Sequence, residues 1–418
     1  MKPKFFLRAR LYPVSPLCIG SGESDYTDRD LLLDETGTPF LPGSALAGVC
    51  RHFLRKAGFP VEGLFGTLGT ENGRTVECGS RIRFYEAYLV GGWSRGFRDG
   101  VRIGDEKTGE DTRVAAGTAK FDYEIADFSG KDAENSYFDF RISVHDVTDA
   151  DKAAVGTMLS ALSDGAIRLG HKTSRGFGIL RPASVCAAEV RTAEELLAFD
   201  WDALAPYSWE NDAAGACDFT ENRTFAVTSF LTVSDSARLE TRNVPDSTAR
   251  DGREHEIKKF IASEPLKNAG KLPVVPGSSW AGIFRHHFRR MLSESGLMDE
   301  QEALRYIETV FGSPEHASYL VFNESVVQGS RSILQTRNAI DRFTGGAGDK
   351  KLFTNALAFG GTLTLTVSLR RGLDEKLRVL TENLVKLTFE ALEDGSLSVG
   401  GFGAIGGGIL RKAGDDHE

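Results

Sequence analysis

The sequence predicts an α+β protein made of two tandem copies of one β-α-β-β-α-β unit. Three observations carry that expectation. Pro42-Gly43-Ser44-Ala45-Leu46-Ala47-Gly48 recurs 234 positions on as Pro276-Gly277-Ser278-Ser279-Trp280-Ala281-Gly282. Further matches then follow in the same order. Arg51-His52-Phe53 faces Arg285-His286-His287, and Leu64-Phe65-Gly66-Thr67 faces Val310-Phe311-Gly312-Ser313. Arg83-Phe84-Tyr85-Glu86 faces Val321-Phe322-Asn323-Glu324, and Gly176–Arg181 faces Gly406–Arg411. Ordered matches at a nearly constant offset mean duplication. Finally, the apolar pattern in each half switches between a period of two and a period near 3.6.

The first strand is read at residues 6–12, with Leu7, Ala9 and Leu11 on one face and Arg8, Arg10 and Tyr12 on the other. Its counterpart is Phe225–Val233. A long loop leads to the Pro-Gly-Ser turn, where Ser44 and Ser278 are expected as N-caps of the following helices. Leu46, Val49 and Phe53 form one buried helical stripe, and Trp280, Phe284, Phe288 and Met291 the other. Later strands are expected at Tyr137–Val144 and Thr362–Leu369, and second helices at 148–163 and 374–393. Each copy closes with a glycine-rich segment entering a last strand. This is the order of a ferredoxin-like or RRM-like sandwich. The first copy is expected over 1–185 and the second over 222–418. A linker with a short helix, Thr192–Phe199, is expected over 186–221.

At 418 residues and 41% apolar content the chain has room for two ordinary cores. No apolar run reaches the length of a membrane span. Arg8 and Arg10 interrupt the N-terminal apolar run, so a cytoplasmic protein is expected. The five cysteines are widely spaced with no CxxC, which implies neither a disulfide framework nor a zinc site. The net charge of −9 weighs against nucleic acid as a partner. Local clusters qualify that average: Arg51, Arg55 and Lys56; Arg285, Arg289 and Arg290. A basic groove on an acidic body fits both facts.

Gly401-Phe402-Gly403-Ala404-Ile405-Gly406 has the form GxGxxG, but it precedes a strand and opens no helix, so a dinucleotide fingerprint is excluded. Gly165–Thr173 nearly spells a P-loop, but His171 intrudes before Lys172. Two readings of these ends stay open: a loop whose backbone admits phosphates, with Lys172 and Arg175 as charges, or a tight turn closing the domain. The second end, Gly401 to Ile405, carries no charge. Arg51, Arg55, Arg285 and Arg289 are expected on exposed helix faces, either as phosphate contacts or as solvated charges. Phe121 and Phe353 are either base-stacking or core residues.

Taken together, the strand, loop, PGSxxxG helix, [LV]FG[ST] and glycine-rich end resemble the RAMP superfamily, the backbone subunits of CRISPR effector complexes. Arg98–Gly109 and, more tightly, Gln335–Gly345 resemble the inserted arm of type III subunits, and the fused pair is similar to the III-D branch. The resemblance implies a subunit that grips CRISPR RNA, with each arm wedging into the guide–target duplex. Ser44, Ser278, Arg337 and Arg342 join the RNA contacts on this basis. It also implies an endoribonuclease that cuts target RNA through an aspartate in the loop after the first strand. Asp28 fits that place best, with Asp25 and Asp30 as alternates; in the second copy the candidates are Asp246 and Asp251. Such an aspartate acts directly or through magnesium or manganese. Expected partners are CRISPR RNA, target RNA and other type III subunits, with no membrane. Two rivals remain: a scaffold without catalysis, and a stand-alone CRISPR RNA processing nuclease using His171 or His255.

Overall fold

The computed structural model describes residues 1–418 apart from 23–28, 72–73, 104–114, 210–216, 234–237, 246–253, 314, 341–342, 344 and 415–418. The chain divides into two compact units, Met1–Asp218 and Phe219–Glu418.

In the first unit β1 (Lys4–Pro13) buries Phe5, Leu7, Ala9 and Leu11. It pairs antiparallel with β3 (Tyr137–His145) on one side and β4 (Leu180–Val190) on the other. β2 (Ile82–Phe84) pairs with the far side of β3. The resulting order, β4–β1–β3–β2, is that of a ferredoxin-like sheet. Two helices cover one face. α1 (Gly43–Lys56) buries Leu46, Cys50 and Leu54, with Val49 and Phe53 only partly covered. The core stripe is therefore rotated by about one residue from the expected Leu46–Val49–Phe53 line. α2 (Asp149–Ser163) starts at a reciprocal Thr148–Asp151 cap.

The second unit repeats the plan with β5 (Cys217–Val227), α3 (Gly277–Glu294), α4 (Glu300–Phe311), β6 (Leu320–Phe322), β7 (Thr362–Arg370), α5 (Glu375–Glu393) and β8 (Leu410–Lys412). Its sheet order is β6–β7–β5–β8, the same topology. Aromatic rings fill the core: Phe284 lies 5.1 Å from Phe322 and 5.6 Å from Phe389. Buried polar groups are paired inside it, as Trp280 Nε1 donates to Ser325 Oγ at 3.0 Å. His287 Nδ1 lies 3.0 Å from Thr388 Oγ1.

The duplication holds at the level of single hydroxyls. Ser80 Oγ lies 3.2 and 2.6 Å from the Leu64 and Ile82 carbonyl oxygens. Ser318 Oγ lies 3.2 and 2.6 Å from those of Val310 and Leu320. Both serines fasten the chain just after the Phe-Gly motif, whose glycines have φ of 77° and 91°.

Each unit carries a β-hairpin arm. Ser94–Ile103 pairs with Ala115–Asp127, and Arg331–Ile340 with Ala347–Phe359. The second unit has another hairpin where only a longer loop was expected: Arg238–Pro245 pairs with Glu254–Ser263 through eight registered residues. The polar run Thr241-Arg242-Asn243 hid this strand in the sequence.

The expected linker, 186–221, needs correction. β4 runs through Val190, and Ala205–Pro206 adds a further edge strand to the first sheet. The short helix is present as Ala193–Leu197, capped by Thr192. Phe199 stacks on Phe6 at 4.0 Å, and Trp209 Nε1 donates to Ser160 Oγ at 3.0 Å. These aromatics bind the segment to the first unit despite its acidic composition.

Candidate functional site

Three stretches distant in sequence meet in the first unit: the residues after β1, the start of α1 and the glycine-rich end. Ile19, Gly20, Leu32, Ser44, Gly48, Gly170 and His171 line one open hollow of about 460 Å³. The glycine-rich end is built against the strand exit. His171 N donates to the Cys18 carbonyl at 2.7 Å, and Gly178 N to that of Pro16 at 3.0 Å. An added Cβ at Gly178 would meet Leu169 O at 2.1 Å. In the second unit Gly401 N donates to Thr232 O at 2.9 Å, and a Cβ at Gly408 would meet Val399 O at 1.9 Å. The closing-turn reading thus accounts for these glycines, and the loop they force is what presents Lys172.

Lys172 sits in the left-handed region at φ 58° and precedes the short turn Thr173–Arg175. Its ammonium lies 5.4 Å over the Tyr123 ring. Arg168, which the sequence did not single out, braces the turn by donating to Gly165 O at 3.0 Å and Thr173 O at 3.1 Å. Desolvation first, then the charge of Arg175, lowers the Lys172 pKa. Desolvation, then Arg29 and Lys172, lowers that of His171, which is neutral at pH 7. Burial pushes the Cys18 thiol up to about 11, with Arg29 and Lys172 pulling the other way, so it is no nucleophile at neutral pH. Arg29 packs against Gly20 and Lys172 follows His171, two residues that line the hollow, which brings positive charge beside it. An anion there relieves mutual repulsion.

The helix start adds backbone donors. Pro42, extended at ψ 137°, is the N-cap of α1, and no side chain caps it. Pro276 does the same for α3. Ser44 and Ser278 are thus second helical residues, exposed, and not the caps expected of them. Proline holds the extended cap conformation without help, which leaves the first-turn N–H groups open to a ligand.

The other arginines divide. Arg55 and Arg285 are exposed, and Arg55 lies 3.5 Å from Glu62. Arg51 is half-buried, donating from Nη2 to Gly66 O at 3.1 Å, and Arg289 pairs with Glu300 at 3.1 Å. These two are not free helix-face charges. Arg337, on the second arm, lies 4.5 Å over Phe402 and 5.4 Å over Phe230. The second glycine-rich end, expected to lack charge, receives it from that arm. Arg342 lies outside the described residues, as do the side chains of Phe121, Phe353 and His255.

Of the candidate acids, Asp25, Asp28, Asp246 and Asp251 lie outside the described residues. Asp30 is half-buried on a short strand that pairs with Gly22. The base of the first acidic loop is clamped by Glu124, missed in the sequence because it lies on the arm. Leu31 N donates to Glu124 Oε2 at 3.0 Å, and Glu124 N donates to Arg29 O at 3.0 Å. Arg95 pairs with the other carboxylate oxygen at 2.9 Å. The second-copy loop differs in kind. The strands on either side of it, Arg238–Pro245 and Glu254–Ser263, pair with each other. Among the described residues no group of three His, Cys, Asp or Glu side chains is arranged to hold a metal. Asp30, with cationic Arg29 beside it, does not by itself fit one.

No helix among the described residues is long and apolar enough to cross a membrane. A family profile described as the RAMP superfamily matches residues 10–181 and 260–411. Among matching solved structures is a chain from "Cryo-EM structure of the Type III-B Cmr-beta bound to cognate target RNA". It is 18% identical, with 44% of this chain and 60% of that chain covered and a TM-score of 0.32. This chain thus spans less than two thirds of that one. No curated protein matches.

Proposed function

The chain belongs to the RAMP superfamily, and from that premise we propose that it is the double backbone subunit of a type III CRISPR ribonucleoprotein. It binds CRISPR RNA with both units and cleaves complementary target RNA with the first. The observation that carries this is the convergence at the first hollow. The uncapped start of α1 and the glycine-forced loop meet around about 460 Å³, with Arg29 and Lys172 next to residues that line it. That is the chemistry of a phosphate backbone held without base readout. The second unit offers a weaker version, with Arg337 over Phe402.

For cleavage, Asp28 is the proposed catalytic residue, in the loop after the first strand and next to the stretch Arg29–Leu31 that Glu124 fixes. Asp28 accepts the proton from the attacking 2′-hydroxyl or water; as the new P–O bond forms, the P–O5′ bond breaks and the leaving 5′-oxygen takes a proton from solvent, with the arm holding the splayed strand in line. A divalent cation, magnesium or manganese, would take its ligands from the same loop and would stabilise charge on the phosphate. In the second unit Asp246, with Asp251 as its alternate, is the corresponding candidate.

The test is Asp28→Ala in the assembled complex, with guide RNA loading measured alongside. Loss of the target cut opposite the first unit, with loading unchanged, is expected. Survival of that cut overturns the assignment and leaves the scaffold reading.

A further inference from the structure

The first sheet has a second face, turned away from the helices. β1 sends Phe6, Arg8, Arg10 and Tyr12 to it, since Phe5, Leu7, Ala9 and Leu11 enter the core. Half of this face is covered by the chain itself. Phe199 stacks on Phe6, Trp201 lies under Arg141 at 5.5 Å, and the Asp202 carboxylate accepts from Arg8. The face thus already takes aromatic rings beside an anionic group.

The other half repeats that chemistry and is only partly covered: Arg10, Tyr88 and Arg181 are exposed, while Tyr12 and Tyr137 are half-buried. Arg10 is exposed and lies 4.7 Å over the Tyr137 ring. Tyr12 and Tyr137 are ring neighbours at 5.8 Å. Tyr12 aligns with exposed Arg181 across the β1–β4 pair. On the next strand Tyr137 aligns with Val90, and Tyr88 beyond it is 52% exposed. Asp139, the acid of this row, is already neutralised by Arg8 at 2.7 Å and Arg141 at 2.6 Å. Arg10 and Arg181 therefore carry the local charge.

We infer that Tyr12, Tyr88, Tyr137, Arg10 and Arg181 form a second RNA surface, which stacks two or three unpaired bases of a single strand. Tyrosine rings and guanidinium planes on an antiparallel sheet suit splayed bases, and the arginines suit the phosphates between them. A duplex keeps its bases inward and finds no partner here. The inference rests on the reading of the chain as an RNA-holding protein, but the surface is separate from the hollow at Lys172.

The experiment uses the full chain, freed of co-purified RNA, and a fluorescent ten-nucleotide single-stranded oligouridine. Affinity is read by anisotropy, and contacts by ultraviolet crosslinking with peptide mapping. Tyr137→Leu and Arg10→Gln each weaken binding about tenfold, the loss expected for one stacked base. Crosslinks fall on Tyr12, Tyr88 or Tyr137, and both variants melt like the parent. The inference is overturned if both variants bind within twofold of the parent. It is also overturned if a duplex binds as well, or if a protein partner alone crosslinks here. Loss of guide loading in Lys172→Ala with Arg175→Ala, and not in these variants, leaves the proposed function standing without the second surface. The reverse pattern sinks the proposed function and keeps the surface.

Discussion

Lys172 and Phe402 occupy the same left-handed position in the two units, at φ 58° and 66°, each opening a single three-residue turn. The cation–aromatic pairing survives with its roles exchanged. Lys172 lies over Tyr123, and Phe402 lies under Arg337. The duplicated loop has thus kept a cation at its tip, supplied by the loop itself in the first unit and by the arm in the second.

Removing either cation weakens RNA binding without unfolding the protein. Lys172→Ala and Arg337→Ala each lower affinity, and each lowers the slope of log affinity against log salt by about 0.7 for single-stranded RNA. Titrations at several salt concentrations read both effects.

The glycines behave oppositely. Gly178→Ala and Gly408→Ala force a Cβ to within 2.1 and 1.9 Å of a carbonyl oxygen, at φ of 82° and 70°. Each destabilises its own unit by at least about 1–3 kcal/mol in chemical denaturation. A stability loss in Lys172→Ala as large as in Gly178→Ala contradicts this division of roles.

Trp209 tests whether 186–209 is a strap or a linker. Trp209→Ala removes the bond to Ser160 and a half-buried ring. The first unit loses about 1–2 kcal/mol of stability. A true linker tolerates the change with no shift in its denaturation midpoint.

Asp151 sets an acid limit on the first unit. Burial raises its pKa, but bonds from Arg81 at 2.8 and 2.9 Å and from Thr148 outweigh that and hold it below the ordinary range. A carboxylate lowered in the fold stabilises above its unfolded value of about 3.9 and stops doing so as pH falls through the lowered one. Asp151→Asn costs about 1–3 kcal/mol at pH 7 and flattens the fall in melting temperature below about pH 4.

The duplicated fold was legible because its markers are local. A positive-φ glycine or a Pro-Gly start must recur wherever the turn recurs. Arg337 as the second loop's cation was not legible, because it reaches Phe402 from a strand 65 positions earlier in the chain. The strap was hidden by acidic residues around Phe199, Trp201 and Trp209, although the spacing of those large rings was the signal for a packed segment. Ser44 looked like a cap because serine often is one, but Pro42 already fixes that conformation.

The central claim is that both units hold a CRISPR guide, and sequencing the RNA that co-purifies with the full chain from its native host tests it most directly. The account predicts RNAs of uniform length carrying repeat and spacer sequence, lost when Lys172, Arg175 and Arg337 are all replaced by alanine. Bound RNA of random length and origin, or guide RNA retained unchanged by that triple variant, contradicts it.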